Sequence, residues 1–473
     1  MSALFVTSCA LFGPKYSTPN VITDDTWNDS KNNTKVTNDT DYSKNDWWGE
    51  FHDNTLNGYV VDALKNNNDI QVAIGNVMVA SANLEHTKMA FIPDISLGGT
   101  LGYGQTFNSN STLNSPALAA FGIPSTSTAN NNFNFAGGGF VPSYSLNIIQ
   151  QFKALDVAKD NLALAQASQN AIKLAVIGQV VDSYFTILAL NEEINLENTF
   201  IDLLGKMVKS SQLQLQYGLG TQSNVNLYEQ KLYMAQMKLP TLNQNLIITK
   251  NTLATLINKN SNELKITNIF ANISTENKIP LSLPSVVLKN RPDIQIAENQ
   301  LKIANGNIGV AYANFFPKIY LTTPLGGYNN ALGSLFTASG DFWTAQIGAN
   351  MPILNMGLYS LIKEAKGQYY VAYYNYINTV KKAFADVNNN LANYQNNEII
   401  MTNAVKLLKS VNDNTNFNEI SYNKGYTSYP MYLSSKVTQV DTNITYINTK
   451  LQQLQSIVLV HQSLASGYDA LRL

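Results

Sequence analysis

His52, His86 and His461 are the only imidazoles in this chain of 473 residues, and Cys9 is its only thiol. A zinc centre draws on such ligands at short, repeated spacings, and these stand far apart, with none at a zinc-ligand spacing. Gly137-Gly138-Gly139 would suit a phosphate loop if Lys-Ser/Thr came next, but Phe140-Val141 follows. Within a strand the same run permits close approach or curvature. Tyr369, Tyr370, Tyr373, Tyr374 and Tyr376 recur at helical spacing, which reads first as packing between helices. No nucleophile, base and orienting group come together, so neither an enzyme nor a metal or organic cofactor is expected.

Cys9 is the one residue whose context points to covalent chemistry. It follows Ala3-Leu4-Phe5-Val6 and Thr7-Ser8. One reading is a lone cysteine near a terminus. The other is a bacterial lipoprotein signal, in which a small residue precedes an acylated cysteine. No Lys or Arg precedes the apolar run, and the run is shorter than a normal signal core, so the true start codon is expected upstream.

Composition narrows the partners. Charged residues are 13% of the chain, about half the usual share. The 31 basic and 32 acidic residues leave a net charge of -1, which gives no electrostatic case for nucleic acid. No run of 18 apolar residues would carry a helix through a bilayer, which leaves a closed β-barrel as the way to span one.

The elements that would hold any site come from a duplication. Leu64 to Gly102 aligns without a gap on Leu288 to Gly326, with 15 of 39 positions identical, among them Asp69/Asp293, Gln71/Gln295, Phe91/Phe315 and Pro93/Pro317. Each copy reads as a helix that enters a strand at Phe-x-Pro, because proline ends helical hydrogen bonding. The first helix is expected over about 56–90. Strands are expected at about 91–107 and 133–149, then at about 315–328 and 342–353. The run 105–132 is a long uncharged loop. Ile95, Leu97, Leu101 and Tyr103 share one strand face, and Trp343, Ala345, Ile347, Ala349 and Met351 alternate with Thr344, Gln346, Gly348 and Asn350. That pattern serves a membrane strand or a soluble sheet with one buried face. Four strands cannot close a membrane barrel, whose smallest forms use about eight, so several chains would have to pool theirs.

Long helices follow each strand pair. They are expected at about 153–216 and 222–259, with a linker over 260–282, and at about 357–423 and 429–465. The first of these would be on the order of 95 Å long. Leu433, Val437, Val440, Ile444, Ile447, Leu451, Leu454 and Val458 are spaced 4, 3, 4, 3 throughout, a coiled-coil seam. His461 continues its phase and reads as packing. The seam recurs at Tyr228, Leu232, Ala235, Leu239, Leu242, Leu246, Thr249 and Leu253, and the same offset superposes Tyr217 on Tyr422 and Gly220 on Gly425. Pro240 should bend its helix locally. The organisation expected is a truncated signal segment at 1–8, an extended segment at 9–60 and two structural repeats at 61–282 and 283–473.

The chain resembles the TolC-like outer-membrane efflux channels, in particular the lipoprotein branch serving resistance-nodulation-division pumps. The resemblance runs through Cys9-Ala10-Leu11-Phe12-Gly13-Pro14-Lys15-Tyr16, Trp47-Trp48 with Phe51, Asp53 and Leu56, Leu283-Pro284-Ser285, Arg291-Pro292-Asp293-Ile294, Phe315-Phe316-Pro317 and two Tyr-x-x-Gly turns. It implies a mostly α protein with a membrane β-barrel: a homotrimer whose three sets of four strands, 12 in all, close one barrel above a long α-helical tunnel. It implies a covalent lipid on Cys9, contact with outer-membrane lipid, and two protein partners, a periplasmic adaptor and an inner-membrane resistance-nodulation-division pump. It implies a gate and adaptor contact near Tyr217, Gly220, Asn226, Glu229, Tyr422, Gly425, Tyr426 and Tyr429. Of Asn226, Glu229, Met431 and Ser434, positions where other members often place acids, only Glu229 is acidic, so the gate is expected to rely on Tyr422, Tyr426 and Tyr429 instead of a ring of carboxylates. Multidrug efflux is the function the resemblance favours; type I protein secretion and a non-transporting envelope scaffold are the alternatives.

Overall fold

The structure, a computed structural model, describes residues 13–21, 42–105, 132–275, 289–329 and 341–470. Cys9, the signal segment 1–8, Trp27, Leu283-Pro284-Ser285 and most of the loop 105–132 lie outside the described residues.

Among the described residues the chain is mostly helical, with a few antiparallel strands. Helix α1 spans Asn54–Asn66, α2 spans Asn68–Met89, and strands β1 (Asp94–Gln105) and β2 (Asn132–Leu146) follow. Helices α3 (Ile148–Gln216) and α4 (Gln222–Leu256) come next, then α5 (Pro292–Ala313). The second set of strands is β3 (Lys318–Thr322), β4 (Leu325–Asn329), β5 (Asp341–Trp343) and β6 (Gln346–Asn350), followed by α6 (Met356–Asn423) and α7 (Tyr429–Ser463). At 69 residues α3 is on the order of 100 Å long.

The helix expected over 56–90 is two helices. Asn67 leaves the helical region at φ −62°, ψ 128° and its side-chain oxygen accepts from Asp69 N at 2.9 Å and Ile70 N at 3.2 Å, capping α2. Its amide nitrogen donates to Leu256 O at the end of α4, at 2.9 Å. The duplicate position holds Arg291, whose Nη1 donates to Ser463 O at the end of α7, at 2.9 Å. Gln71 to Lys65 O and Gln295 to Lys289 O, at 2.8 and 2.9 Å, repeat in the same way. In each half the start of the copied helix is therefore tied to the end of its returning helix. Arg291 is buried, with a two-pronged grip on Asp293 at 3.1 and 2.8 Å that supplies its counter-charge.

The strands expected at 315–328 and 342–353 are each interrupted. Phe140 pairs with Leu325 and Ser143 with Thr322, so one register runs straight across Thr323-Pro324. Thr323 N donates to Pro142 O and Thr344 N to Pro324 O, but neither proline has an N–H to return the bond. The ladder loses single rungs there without losing register. The result is an antiparallel sheet in which β1 pairs with β2, β2 with the β3/β4 line, and that line with β5/β6. Gly139 and Gly326 meet where β2 crosses β4: a Cβ on Gly139 would fall 2.5 Å from the Gly326 Cα. The close approach read from the glycine run is made there.

The chain forms two compact units, and each draws on both halves of the sequence. One holds residues 13–18, 78–163 and 298–374, including all six strands. There Pro14 O accepts from Asn305, while Tyr16 and Thr18 both donate to Glu298 at 3.3 Å, which lays the N-terminal strap along α5. Phe91 packs on Phe152 at 5.3 Å and Phe315 on Tyr359 at 5.2 Å, one aromatic pair per strand entry.

The other unit holds the helical hairpins and the main apolar core, around Trp47, Leu56, Tyr184, Phe185, Leu253 and Leu454. Asp53 sits at its centre, 4% exposed. One carboxylate oxygen caps α1 through Thr55 N and Leu56 N, and the other accepts from Tyr184 Oη at 2.6 Å and Asn268 Nδ2 at 2.7 Å. That charge is fully satisfied, and burial together with the Asp53 carboxylate pushes the Tyr184 hydroxyl well above its usual pKa.

Candidate functional site

Two surfaces hold the residues singled out in the sequence: one face of the sheet, and the two helical turns. On the sheet, residues directly opposite one another point to the same side. Leu97 lies opposite Phe140, Phe140 opposite Leu325, and Leu325 opposite Trp343. All are exposed, at 74%, 57%, 44% and 72%. An apolar row thus runs across every strand line with nothing of the described chain covering it. Ile95, Leu101, Ile347 and Met351 extend the face. The opposite face carries Asp94, Ser143, Thr322 and Gln346 in one row. Near its base Asp94, Ser143, Ser145, Tyr320 and Thr322, with His86, line a cleft of about 630 Å³. The outer edges of β1 and of β5/β6 have no strand partner among the described residues.

Both turns end their helices with the same device. Gly218 and Gly425 adopt φ +72° and +77°, and the residue after each donates back five positions, Leu219 N to Gln214 O and Tyr426 N to Ser421 O, both at 2.8 Å. Gly218, rather than Gly220, is therefore the equivalent of Gly425, and Tyr217 matches Lys424 rather than Tyr422. The helices agree: α4 starts at Gln222 and α7 at Tyr429, 207 positions apart and two more than the apolar seams.

That discrepancy has a cause. In α4 the buried residues follow the expected seam through Ala235, Leu242 and Leu253. In α7 two stripes are buried: the apolar one from Leu433 to Val458, and a polar one through Ser435, Thr442, Thr449, Gln453 and Ser456. The polar stripe is the true equivalent of the α4 seam. Ser435 O accepts from Thr415 of α6 at 3.2 Å, and Gln439 donates to Asn412 at 2.8 Å. Meanwhile Leu433 packs with Leu204, Met207 and Ala235 of the first hairpin. Apolar periodicity finds one stripe and is blind to the other.

At the first turn Tyr217 is exposed, Gln222 donates to Asn226 at 2.8 Å and Gln212 reaches Glu229 at 3.5 Å. At the second, Tyr422 stacks on Tyr432, with centroids 5.2 Å apart and planes at 2°, and Tyr429 lies 5.4 Å from Tyr422. Lys436 sits over the Tyr432 ring at 5.6 Å and pairs with Glu419 at 2.8 Å. Tyr426 is 83% exposed and Met431 is exposed too, so neither is in that cluster. The sequence reading missed Tyr432, although its spacing of three from Tyr429 places both on one helix face.

It also missed the charges within the hairpins. Glu193 and Glu197 are buried on α3 and both meet Lys238 of α4, at 2.9 and 3.2 Å. Burial pulls the Lys238 ammonium down, but the two carboxylates outweigh it and leave it above its usual range. Their i, i+4 spacing within an apolar helix was the available signal. Helix α4 runs through Pro240 close by, which supplies no N–H to the ladder.

Of the histidines, His461 is fully buried and stacks on Trp47 at 4.6 Å and 7°. Neither ring nitrogen has a hydrogen-bond partner, and burial pushes its pKa down to about 3. Its role is packing. Between about pH 6.5 and 3 the unfolded chain binds a proton that the folded chain refuses, so stability falls with acid by about 1.4 kcal/mol per pH unit in that window. His461→Phe keeps the ring stack and removes the titration. Helicity followed in urea at pH 7 and pH 4.5 should show the variant losing less stability on acidification than the parent. The tyrosine run divides: Tyr369 packs beside Ile308 and Ile362, while Tyr370 and Tyr374 are exposed and meet at a tilt, with centroids 4.8 Å apart and planes at 59°.

The profile of the family described as outer membrane efflux protein matches residues 59–259 and 283–466. The chain is 25% identical over 473 residues to the probable efflux pump outer membrane protein TtgC of Pseudomonas putida, covering 99% of this chain and 94% of that one. It is 27% identical over 336 residues to the solvent efflux pump outer membrane protein SrpC of Pseudomonas putida, covering 70% and 71%. Its fold matches the open state of the Neisseria gonorrhoeae MtrE outer membrane channel at a TM-score of 0.81 and 21% identity, over 97% and 98% of the two chains. The family match covers most of the chain, and the chain therefore belongs to the outer membrane efflux protein family, the non-enzymatic channels of the outer membrane.

Proposed function

We propose that this chain is the passive exit duct of a tripartite efflux system, working as a homotrimer whose strands close one 12-stranded barrel. The observation that carries the reading is the sheet: one face carries a bare apolar row, the other the polar row of Asp94, Ser143, Thr322 and Gln346, and neither outer edge has a strand partner among the described residues. A lipid-facing wall that needs further copies to close has those three properties. The repeats 61–282 and 283–473 each supply two strand lines and one helical hairpin.

The duct takes solutes from an inner-membrane resistance-nodulation-division pump through a periplasmic adaptor. The relatives' names speak of solvents and antibiotics, and small solutes of that kind are the cargo class proposed here, with the pump setting the range. Cys9 carries the lipid. The strap runs back along α5 from Thr18 to Gly13, towards the end from which β3 leaves. Deleting the gene should sensitise cells to dyes and detergents, and the intact gene should restore resistance. A scaffold, or a duct for protein secretion, would leave those susceptibilities unchanged.

The Tyr422/Tyr429/Tyr432 cluster acts as the closing contact of the second turn, with Tyr217, Gly220, Asn226, Glu229, Gly425 and Tyr426 at the gate and adaptor surface. Tyr422→Ala with Tyr432→Ala removes the stack while leaving the Gly425 turn in place. Cells carrying this pair should admit a bulky hydrophilic antibiotic several-fold more readily, read as a lower inhibitory concentration. Unchanged entry would place the gate elsewhere.

A further inference from the structure

The duplication extends to strand pairing, and it dictates how neighbouring subunits join. Lys318 is the copy of Asp94 in the gapless alignment. Asp94 pairs with Ser143, and Lys318 pairs with Asn350. Asn350 is thus the copy of Ser143, 207 positions on, which is also the spacing of the returning helices. One rule therefore relates both strand pairs and both hairpins. A third junction, β2 with β3, joins the first half to the second through Ser143 and Thr322. Its counterpart would join the second half to the first half of another copy, and within one chain it does not exist.

We infer that β6 of one subunit pairs antiparallel with β1 of the next in the register that copies the β2–β3 junction. Asn350 then lies opposite Gly98, Gly348 opposite Thr100, Ile347 opposite Leu101 and Gln346 opposite Gly102. This rests on the trimeric barrel proposed above and goes beyond it, to the residues at the seam.

Three observations support this register. First, it preserves the faces: exposed Ile347 meets exposed Leu101, while Gln346, Gly348 and Asn350 meet residues of the polar face. A slip by one residue would set Ile347 against Thr100 or Gly102 of the polar face. Second, it preserves the stagger. A path perpendicular to the strands from Asp94 through Ser143 reaches Thr322, four residues past Lys318, the copy of Asp94. The inferred junction adds the same four, so each half advances equally around the wall, as a regular barrel requires. Third, the two edges involved are the two that lack strand partners among the described residues.

The register also specifies which pairs come closest. Thr323 N donates to Pro142 O, which makes 142/323 a hydrogen-bonded pair and 143/322 a non-hydrogen-bonded one. Copied to the seam, Gly348/Thr100 and Gln346/Gly102 are non-hydrogen-bonded, with Cα atoms about 4.5 Å apart, within the range a disulfide spans. A Cβ on Gly348 meets nothing within 4 Å in the chain.

The test is oxidative cross-linking in isolated outer membranes, read on non-reducing gels. Full-length chains would carry Thr100→Cys with Gly348→Cys, or Gly102→Cys with Gln346→Cys. Both pairs should give covalent dimers and trimers, and the single variants, which retain Cys9, should give none. The slipped pairs Gly98→Cys or Gly102→Cys with Gly348→Cys should link at least ten-fold less. Strongest linkage in a slipped pair, or no linkage at either matched pair in a protein whose native mass is a trimer, would overturn the register alone. A native mass other than a trimer would overturn the barrel reading beneath it.

Discussion

Ile347→Arg should abolish the outer-membrane form of this protein. Ile347 is 79% exposed on β6, opposite Leu321 of β3, on the bare apolar face between Trp343 and Met351. A charged residue facing lipid near the middle of the bilayer costs about 2–4 kcal/mol in a membrane barrel. In the proposed trimer symmetry repeats that cost in each subunit, so the assembled wall would bear it about three times over, a large part of the stability of any protein. The neighbouring Gln346→Arg points to the polar face, where water screens it, and should be tolerated. Fractionated membranes would report the difference, with the Ile347 variant lost from the outer membrane and the Gln346 variant retained as trimer. Equal assembly of the two would mean that the apolar face does not meet lipid.

The second large effect is expected at Asp53. Asp53→Ala removes a helix cap, a change that costs about 1 kcal/mol by itself. It also leaves the Tyr184 hydroxyl and the Asn268 amide, now bonded to the carboxylate at 2.6 and 2.7 Å, without their acceptor. Hydrogen bonds to a charged group contribute about 1.5–3 kcal/mol each, and a buried donor left unpaired keeps its desolvation cost. A loss on the order of 4 kcal/mol follows, enough to lower expression and the melting temperature together. Tyr184→Phe removes a single bond and should cost about 1.5–3 kcal/mol. Melting followed by helicity should rank parent, Tyr184→Phe and Asp53→Ala in that order, at matched protein concentration because assembly shifts apparent stability. A variant Asp53→Ala as stable as the parent would show that the web is dispensable.

The parts of this fold that were legible in the sequence are those that depend on apolar periodicity. The alternation from Trp343 to Met351 reads as a strand because its residues divide strictly between an apolar and a polar face. The long helices read equally well, since 69 and 68 residues of α3 and α6 hold no proline. The parts that were not legible depend on polar groups meeting across long sequence distances. The second stripe of α7 is Ser, Thr and Gln, which carry no apolar period, so the 205-position seam masked the 207-position repeat. Asp53 and Tyr184 lie 131 residues apart, and nothing local in either announces the other. Asn67 could have been foreseen as a cap, because Asn followed by Asp69 and an apolar run is a helix start. Pro324 was the readable sign that its strand line would be broken, as proline returns no ladder bond.

The most direct test of the duct itself is the conductance of the purified, full-length protein in planar bilayers. Trimers of about 156 kDa, three times the 52.1 kDa chain, should insert and pass current in discrete steps. The Tyr422→Ala, Tyr432→Ala pair should raise the size or the open time of those steps. A stable trimer that never conducts, with the tyrosine stack present or removed, would contradict the account and leave the helical hairpins as a scaffold.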